Sequence, residues 1–161
     1  ITRHVVKEYG KAAYSKARMH MVSSIVPGVM AKTGMESAEI IKGVVEQTKP
    51  DIVIVIDALA ARSTKRLNRT IQITNTGIHP GSGVGNHRNA LTEDSLGAPV
   101  IAIGVPTVVD AATIVNDALA DKAPSNLAEL NNMYVTSKDV DYQVKQISHI
   151  ICDAINEALE L

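Results

Sequence analysis

The sequence predicts an α/β domain, and three observations carry that expectation. DIVIVID at 51–57 sets five β-branched residues in a row without polar alternation, the pattern of a strand covered on both faces. PVIAIGV at 99–105 is a second such strand. Helical patterns lie between and after them, and that order builds a mostly parallel sheet with helices on both faces.

Taken in order, Thr2 to about His20 gives a mixed helical pattern with Val5, Val6, Tyr9, Ala12 and Ala13 as apolar positions. Met21–Val26 is a short strand candidate, stopped by Pro27-Gly28. After the loop VPGVMAKTG, Thr33 with Glu36 three residues on reads as a capping box. It opens a helix with Ile40, Ile41, Val44 and Val45 on its apolar face, closed by Pro50. TIQIT at 70–74 alternates like a strand with one polar face. Thr107 with Asp110 predicts a helix running to about Ala120. The last helix is expected after Thr136, again with an acid, Asp139, at the third position. Val140, Val144, Ile147, Ile151, Ala154, Ala158 and Leu161 form one stripe along it. That stripe suits packing on the domain's own sheet better than a partner helix. DKAPSN, 121–126, is the most linker-like stretch and a candidate internal gap.

The 161 residues fit one domain. With 16 basic and 17 acidic residues, no global field points to nucleic acid or an anionic membrane. No apolar run approaches the length of a transmembrane helix. Cys152 is the single cysteine, which excludes an internal disulfide and fits a reducing compartment. Phe and Trp are absent, so the core falls to Val, Ile, Leu, Ala and Met, and four tyrosines offer little stacking surface for bases. The chain opens at Ile1, inside a helical pattern and without a basic-then-apolar leader, so an upstream segment is expected to be missing.

Ligands of open α/β sheets bind beyond the carboxyl ends of the strands. At the end of the first buried strand stands Asp57. Partial desolvation there suits a carboxylate to acid/base work; the plainer reading is a cap on a helical stretch from Ala58. NTGIHPGSGVGNHRN, 75–89, holds Gly77, Gly81, Gly83 and Gly85, which let backbone approach a ligand closely. Its G-x-G-x-G spacing is neither a dinucleotide fingerprint nor a P-loop, and Ser82 is not a nucleophile elbow. A surface loop is the plainer reading. His79 in that loop is an acid/base or metal-ligand candidate, although no local metal spacing accompanies it. Arg62, Lys65, Arg66 and Arg69 recur at helical spacing as a basic face, read as solvated or as holding an acidic partner.

PGVMAKTGMES, IVIVIDALAARS, TGIHPGSGVGN and GAPVIAIGVPTVVDAATI, with NNMYVTSKDVD and the long helix after it, resemble the germination protease family of spore-forming bacteria. The resemblance spans nearly the whole chain. It implies a three-layer α/β/α sandwich with a mostly parallel central sheet, related to hydrogenase maturation endopeptidases, in a single peptidase domain over 1–161. It also implies an endopeptidase that begins digestion of small acid-soluble spore proteins, an unusual aspartic peptidase made as a zymogen and assembled as a homotetramer in the cytoplasm of the spore core. No cofactor, direct nucleic-acid contact or membrane is implied. Of the two family aspartates, one matches Asp57; the other precedes the start of this chain, which is therefore expected to be inactive as it stands. His79 joins Asp57 as the catalytic candidate, and Thr33, Gly34, Glu36, Gly81, Ser82 and Gly83 are expected to line the substrate cleft. Ala31 stands where the family has glycine, and the family carries a longer stretch before NNMYVTSKDVD.

Two other readings stay open. One is a metal-dependent maturation peptidase with Asp57 and His79 as two of three ligands. The other is a non-catalytic module whose glycine-rich loop holds an anion through backbone N–H groups.

Overall fold

A central strand, β3 (Val100–Asp110), organises the computed structural model, which describes residues 21–28, 30–80, 89–122 and 126–159. The helical pattern of 2–20, the loop residues Gly81, Ser82, Gly83 and Gly85, and the middle of DKAPSN lie outside those residues. On one edge of β3 runs β1 (Val53–Ala61), parallel, in register from Val53↔Val100 to Ala61↔Val109. The other edge takes two short antiparallel strands, β2 (Gln72–Thr74) against Ala102–Gly104 and β4 (Tyr134–Val135) against Val109–Asp110. With α1 (Met30–Thr33), α2 (Ser37–Thr48), α3 (Glu93–Leu96), α4 (Ala111–Leu119) and α5 (Val140–Ala158), this is an α/β fold on a mixed sheet whose long pairing is parallel.

Both buried strands outrun their predicted ends. DIVIVID continues to Ala61 and PVIAIGV to Asp110, because each supplies the other's backbone partners. The register shifts once: Leu59 faces Pro106 and Ala60 faces Val108, so Thr107 is the extra residue of an irregularity that accommodates the buried Pro106. Thr107 is thereby held in the sheet, and the helix expected from it begins at Ala111 instead. Met21–Val26 forms no strand, and Met21 and Val26 are almost fully exposed. Apolar composition makes a strand only where a ladder partner is in place.

All three predicted Thr-x-x-acid boxes shift by one step of the motif. Glu36 and Asp110 are themselves the N-caps of α2 and α4, and Asp139 immediately precedes α5. Asp110 accepts from the Thr113 amide and hydroxyl, each at 2.7 Å. The threonines are used elsewhere: Thr136 donates its hydroxyl to the Thr107 carbonyl at 2.7 Å, and Thr33 bonds the Met35 backbone. At the second box the short Asp110 carboxylate reaches the free amide of the first turn directly, while the β-branched Thr107 keeps the extended backbone of β3. Ile40, Ile41, Val44 and Val45 are at least half-buried as expected, and α2 ends at a left-handed Lys49 before Pro50.

The main core cluster lies on the sheet face that Val100 and Ala102 share. Ile78, Leu91, Leu96, Val100 and Ala102 form a buried cluster, against which Ala38, Ile41, Val53, Val55 and Leu59 pack. At the alternate positions β3 is buried as expected, at Ile103 and Val105, whereas β1 and β2 are not covered there. Ile56, Ile103 and Ile73 form one row across β1, β3 and β2, and Ile56 and Ile73 are exposed by 51% and 69%. Pro27–Val140 make one compact unit, and the chain from Asp141 belongs to a second. In α5 the buried line is Ile151 and Ile155 with Ile147 beside them; Val144, Ala154 and Ala158 are exposed, so the stripe is narrower than its sequence spacing.

Candidate functional site

Strand alternation decides where Asp57 points. Residues 53, 55, 57 and 59 share one face of β1, and Val53, Val55 and Leu59 pack on the core cluster. Asp57 therefore stands between two core-packing residues, half-buried, on the sheet face that carries the Ile78–Leu91 bridge. It sits in the middle of β1, not at its carboxyl end, and no helix starts at Ala58, which removes the capping reading. Its register partner is Gly104. A Cβ on Gly104 would overlap Cδ1 of Leu59, so the missing side chain opposite Asp57 makes room for an apolar wall.

The glycine-rich loop is closed at its foot. Ile78 and Leu91 exchange both backbone bonds, at 3.0 and 2.8 Å. Gly77 before them has φ +88°, and a Cβ there would run into the Leu91 carbonyl and lie 2.8 Å from the Thr92 methyl. His79 follows Ile78 and is exposed, while Pro80 is buried. The other predicted loop contacts, Gly81, Ser82 and Gly83, fall outside the described residues.

A tie joins the first loop to this foot. The Glu36 carboxylate accepts from the side chain of Asn89 at 2.9 Å and from its backbone amide at 3.3 Å. The Glu39 carboxylate takes the Glu36 amide at 2.8 Å, and the Glu36 carboxylate reaches across the sequence. Thr33, the last residue of α1, and Gly34 after it are exposed, Gly34 at φ +70°. Glu36 and the loop are thus brought together, and Asp57 shares their face of the sheet. Asn89 carried no motif of its own; Gly104 was legible as a glycine inside a β-branched strand, a mark of close approach.

The basic segment is a 3-10 turn (Thr64–Arg66) within a bend, not the helix its spacing suggested, and all four cations are exposed. Asp117 of α4 staples it, accepting from the Thr64 amide at 2.7 Å, the Thr64 hydroxyl at 2.8 Å and the Ser63 hydroxyl at 3.1 Å. The Thr64 amide, then its hydroxyl, hold the Asp117 carboxyl below its ordinary value, with Ser63 and the Lys65 charge adding to this against a desolvation effect. Among the described residues, no three His, Cys, Asp or Glu side chains gather as a metal site would require, and no helix is long and apolar enough to cross a membrane. A depression where α2 meets α3, lined by Lys42, Val45, Lys49, Asp94 and Leu96 among others, contains none of the candidate residues.

Comparison with known proteins gives a consistent result. The germination protease family model matches residues 1–121. The germination proteases of Caldanaerobacter subterraneus subsp. tengcongensis and Clostridium tetani are 44% and 46% identical over 190 aligned positions, covering 99% of this chain and 58% of each relative. That of Bacillus subtilis is 61% identical over 117 residues, 73% of this chain and 31% of the relative. The chain thus spans a little over half the length of the first two. Their aligned stretch is longer than its 161 residues, so these relatives carry internal residues without a counterpart here.

Proposed function

This chain belongs to the germination protease family, and on that premise we propose that it is the core of an endopeptidase that begins the digestion of small acid-soluble spore proteins at germination. The observation that carries the reading is the position of Asp57, a half-buried carboxylate among core-packing residues, on the sheet face that bears the closed foot of the glycine-rich loop. In the proposed mechanism Asp57 is one of two carboxylates that share a proton. One takes a proton from water as it attacks the scissile carbonyl while the other donates its proton to the carbonyl oxygen, and the proton taken from water then passes to the departing amine. The second carboxylate is assigned to the other family aspartate, which has no counterpart among these residues. His79 is assigned to proton transfer at the mouth of the cleft. Thr33 and Gly34 with Gly81, Ser82 and Gly83 flank the substrate, and Glu36 holds the two loops together. Synthesis as a zymogen, assembly as a homotetramer and residence in the spore-core cytoplasm complete the proposal.

The test restores the upstream family segment and incubates that protein with a small acid-soluble spore protein, beside Asp57→Asn. Discrete fragments by mass spectrometry are expected from the wild type, with a fall of about 10²–10⁴-fold in the variant. Undiminished cleavage by Asp57→Asn would remove the residue from the mechanism.

A further inference from the structure

We propose that the turn leaving β1, Arg62 to Arg69, is a docking surface for an acidic stretch of the substrate polypeptide; the inference rests on the peptidase reading above. Arg62, Lys65, Arg66 and Arg69 fall within eight residues of a chain whose net charge is −1, and all four side chains are exposed. The nearby carboxylate, Asp117, does not neutralise them as a group. Its Oδ2 is committed to Ser63 and Thr64.

The turn is held in place, which lowers the entropic cost of binding to it. Besides the Asp117 staple, Arg66 donates its amide to the Ser63 carbonyl at 3.0 Å. Asn68, buried and left-handed at φ +52°, donates its amide to the Pro106 carbonyl at 2.7 Å and its side chain to Ser137 at 3.1 Å. Position adds to the case. Asp57 and Arg62 are five residues apart along a strand that runs to Ala61, roughly 16 Å at the rise of extended chain. An extended substrate spans that distance in about five residues. The partner favoured is polypeptide, because the peptidase reading places a polypeptide substrate beside this turn, and the chain without Phe or Trp offers little stacking surface for single-stranded bases.

The experiment uses the protein with its upstream segment restored and a variant in which Arg62, Lys65, Arg66 and Arg69 are all changed to Gln. Two fluorescent peptides share one cleavage sequence: one carries a Glu-rich flank five to eight residues away, the other the same flank with Gln. The wild type is expected to cleave the acidic peptide with a kcat/KM about tenfold higher, through KM, and to lose that advantage between about 50 and 500 mM salt. The variant is expected to cleave both peptides at the wild-type rate for the Gln peptide. Equal kcat/KM for the two peptides in the wild type, or a preference that survives in the variant, overturns the docking surface. If neither peptide is cleaved, the peptidase reading fails separately. Anisotropy then decides the surface: acidic-peptide binding lost in the variant supports it, and binding of a DNA duplex alone overturns it.

Discussion

Gly77 and Gly104 are both places where a side chain does not fit, and they differ in what a Cβ would meet. At Gly77 the obstacle is backbone, the Leu91 carbonyl, and the φ of +88° is itself costly for any L side chain. At Gly104 the obstacle is the end of Leu59, which can rotate away at the expense of its packing. Gly77→Ala is accordingly expected to cost about 2–4 kcal/mol and Gly104→Ala about 1–3 kcal/mol, read from urea unfolding at unchanged m. A smaller loss at Gly77 than at Gly104 would show that the foot of the loop yields more easily than its two backbone bonds imply. The chemistry of Asp57 was legible as a carboxylate in an apolar run. Its half-buried place between Val55 and Leu59 was not, because the face a strand residue takes depends on which side the core fills.

Between elements, carboxylates act as ties. Glu36 joins the start of α2 to Asn89, and Asp117 joins α4 to the basic turn. Glu36→Ala is expected to speed amide exchange at Asn89 and to lower stability by about 1 kcal/mol, with little change in far-ultraviolet dichroism. The Asp117 tie should depend on pH. Because its folded-state pKa is depressed, the stabilisation is complete above the unfolded aspartate value and is lost as pH falls through the folded one. The Thr64 amide resonance is expected to shift with that titration on the acid side of the ordinary aspartate range, and Asp117→Asn to abolish the shift. A Thr64 resonance that moves near neutral pH would contradict the tie. Thr-x-x-acid was a correct sign of helix starts at three places and a wrong guide to their first residues. The spacing alone does not say which of its two polar residues will be held by a neighbouring strand, as Thr107 is.

For the molecule as a whole, the cluster around Leu91 couples stability to the candidate site. Leu91 is 2% exposed and also forms the bridge to Ile78 that closes the loop. Leu91→Ala is expected to cost about 2–5 kcal/mol by cavity formation, seen as a fall in melting temperature. Because the bridge is backbone-made, the loop foot should persist in what remains folded. Unchanged melting would mean that the cluster does not hold Pro27–Val140 together. The two apolar strands and the main helices after 34 were legible because consecutive β-branched residues and a 3.6-residue period are local signals. The exposure of Ile56 and Ile73 beside the buried Ile103 was not, since an apolar strand reads alike whether one face or both are covered.

By itself, then, the sequence determined the α/β class, the identity of the two long strands, the approximate helices and the motifs that place the chain in its family. These are properties of composition and short-range period. Tertiary structure decided that Thr107 extends a strand, that Asp57 lies mid-strand opposite Gly104, that Glu36 is spent on Asn89 and that Asp117 anchors the basic turn. Each of these is settled by pairing between segments tens of residues apart. Register and hydrogen-bond partnership belong to the pair, and neither member's local sequence contains them.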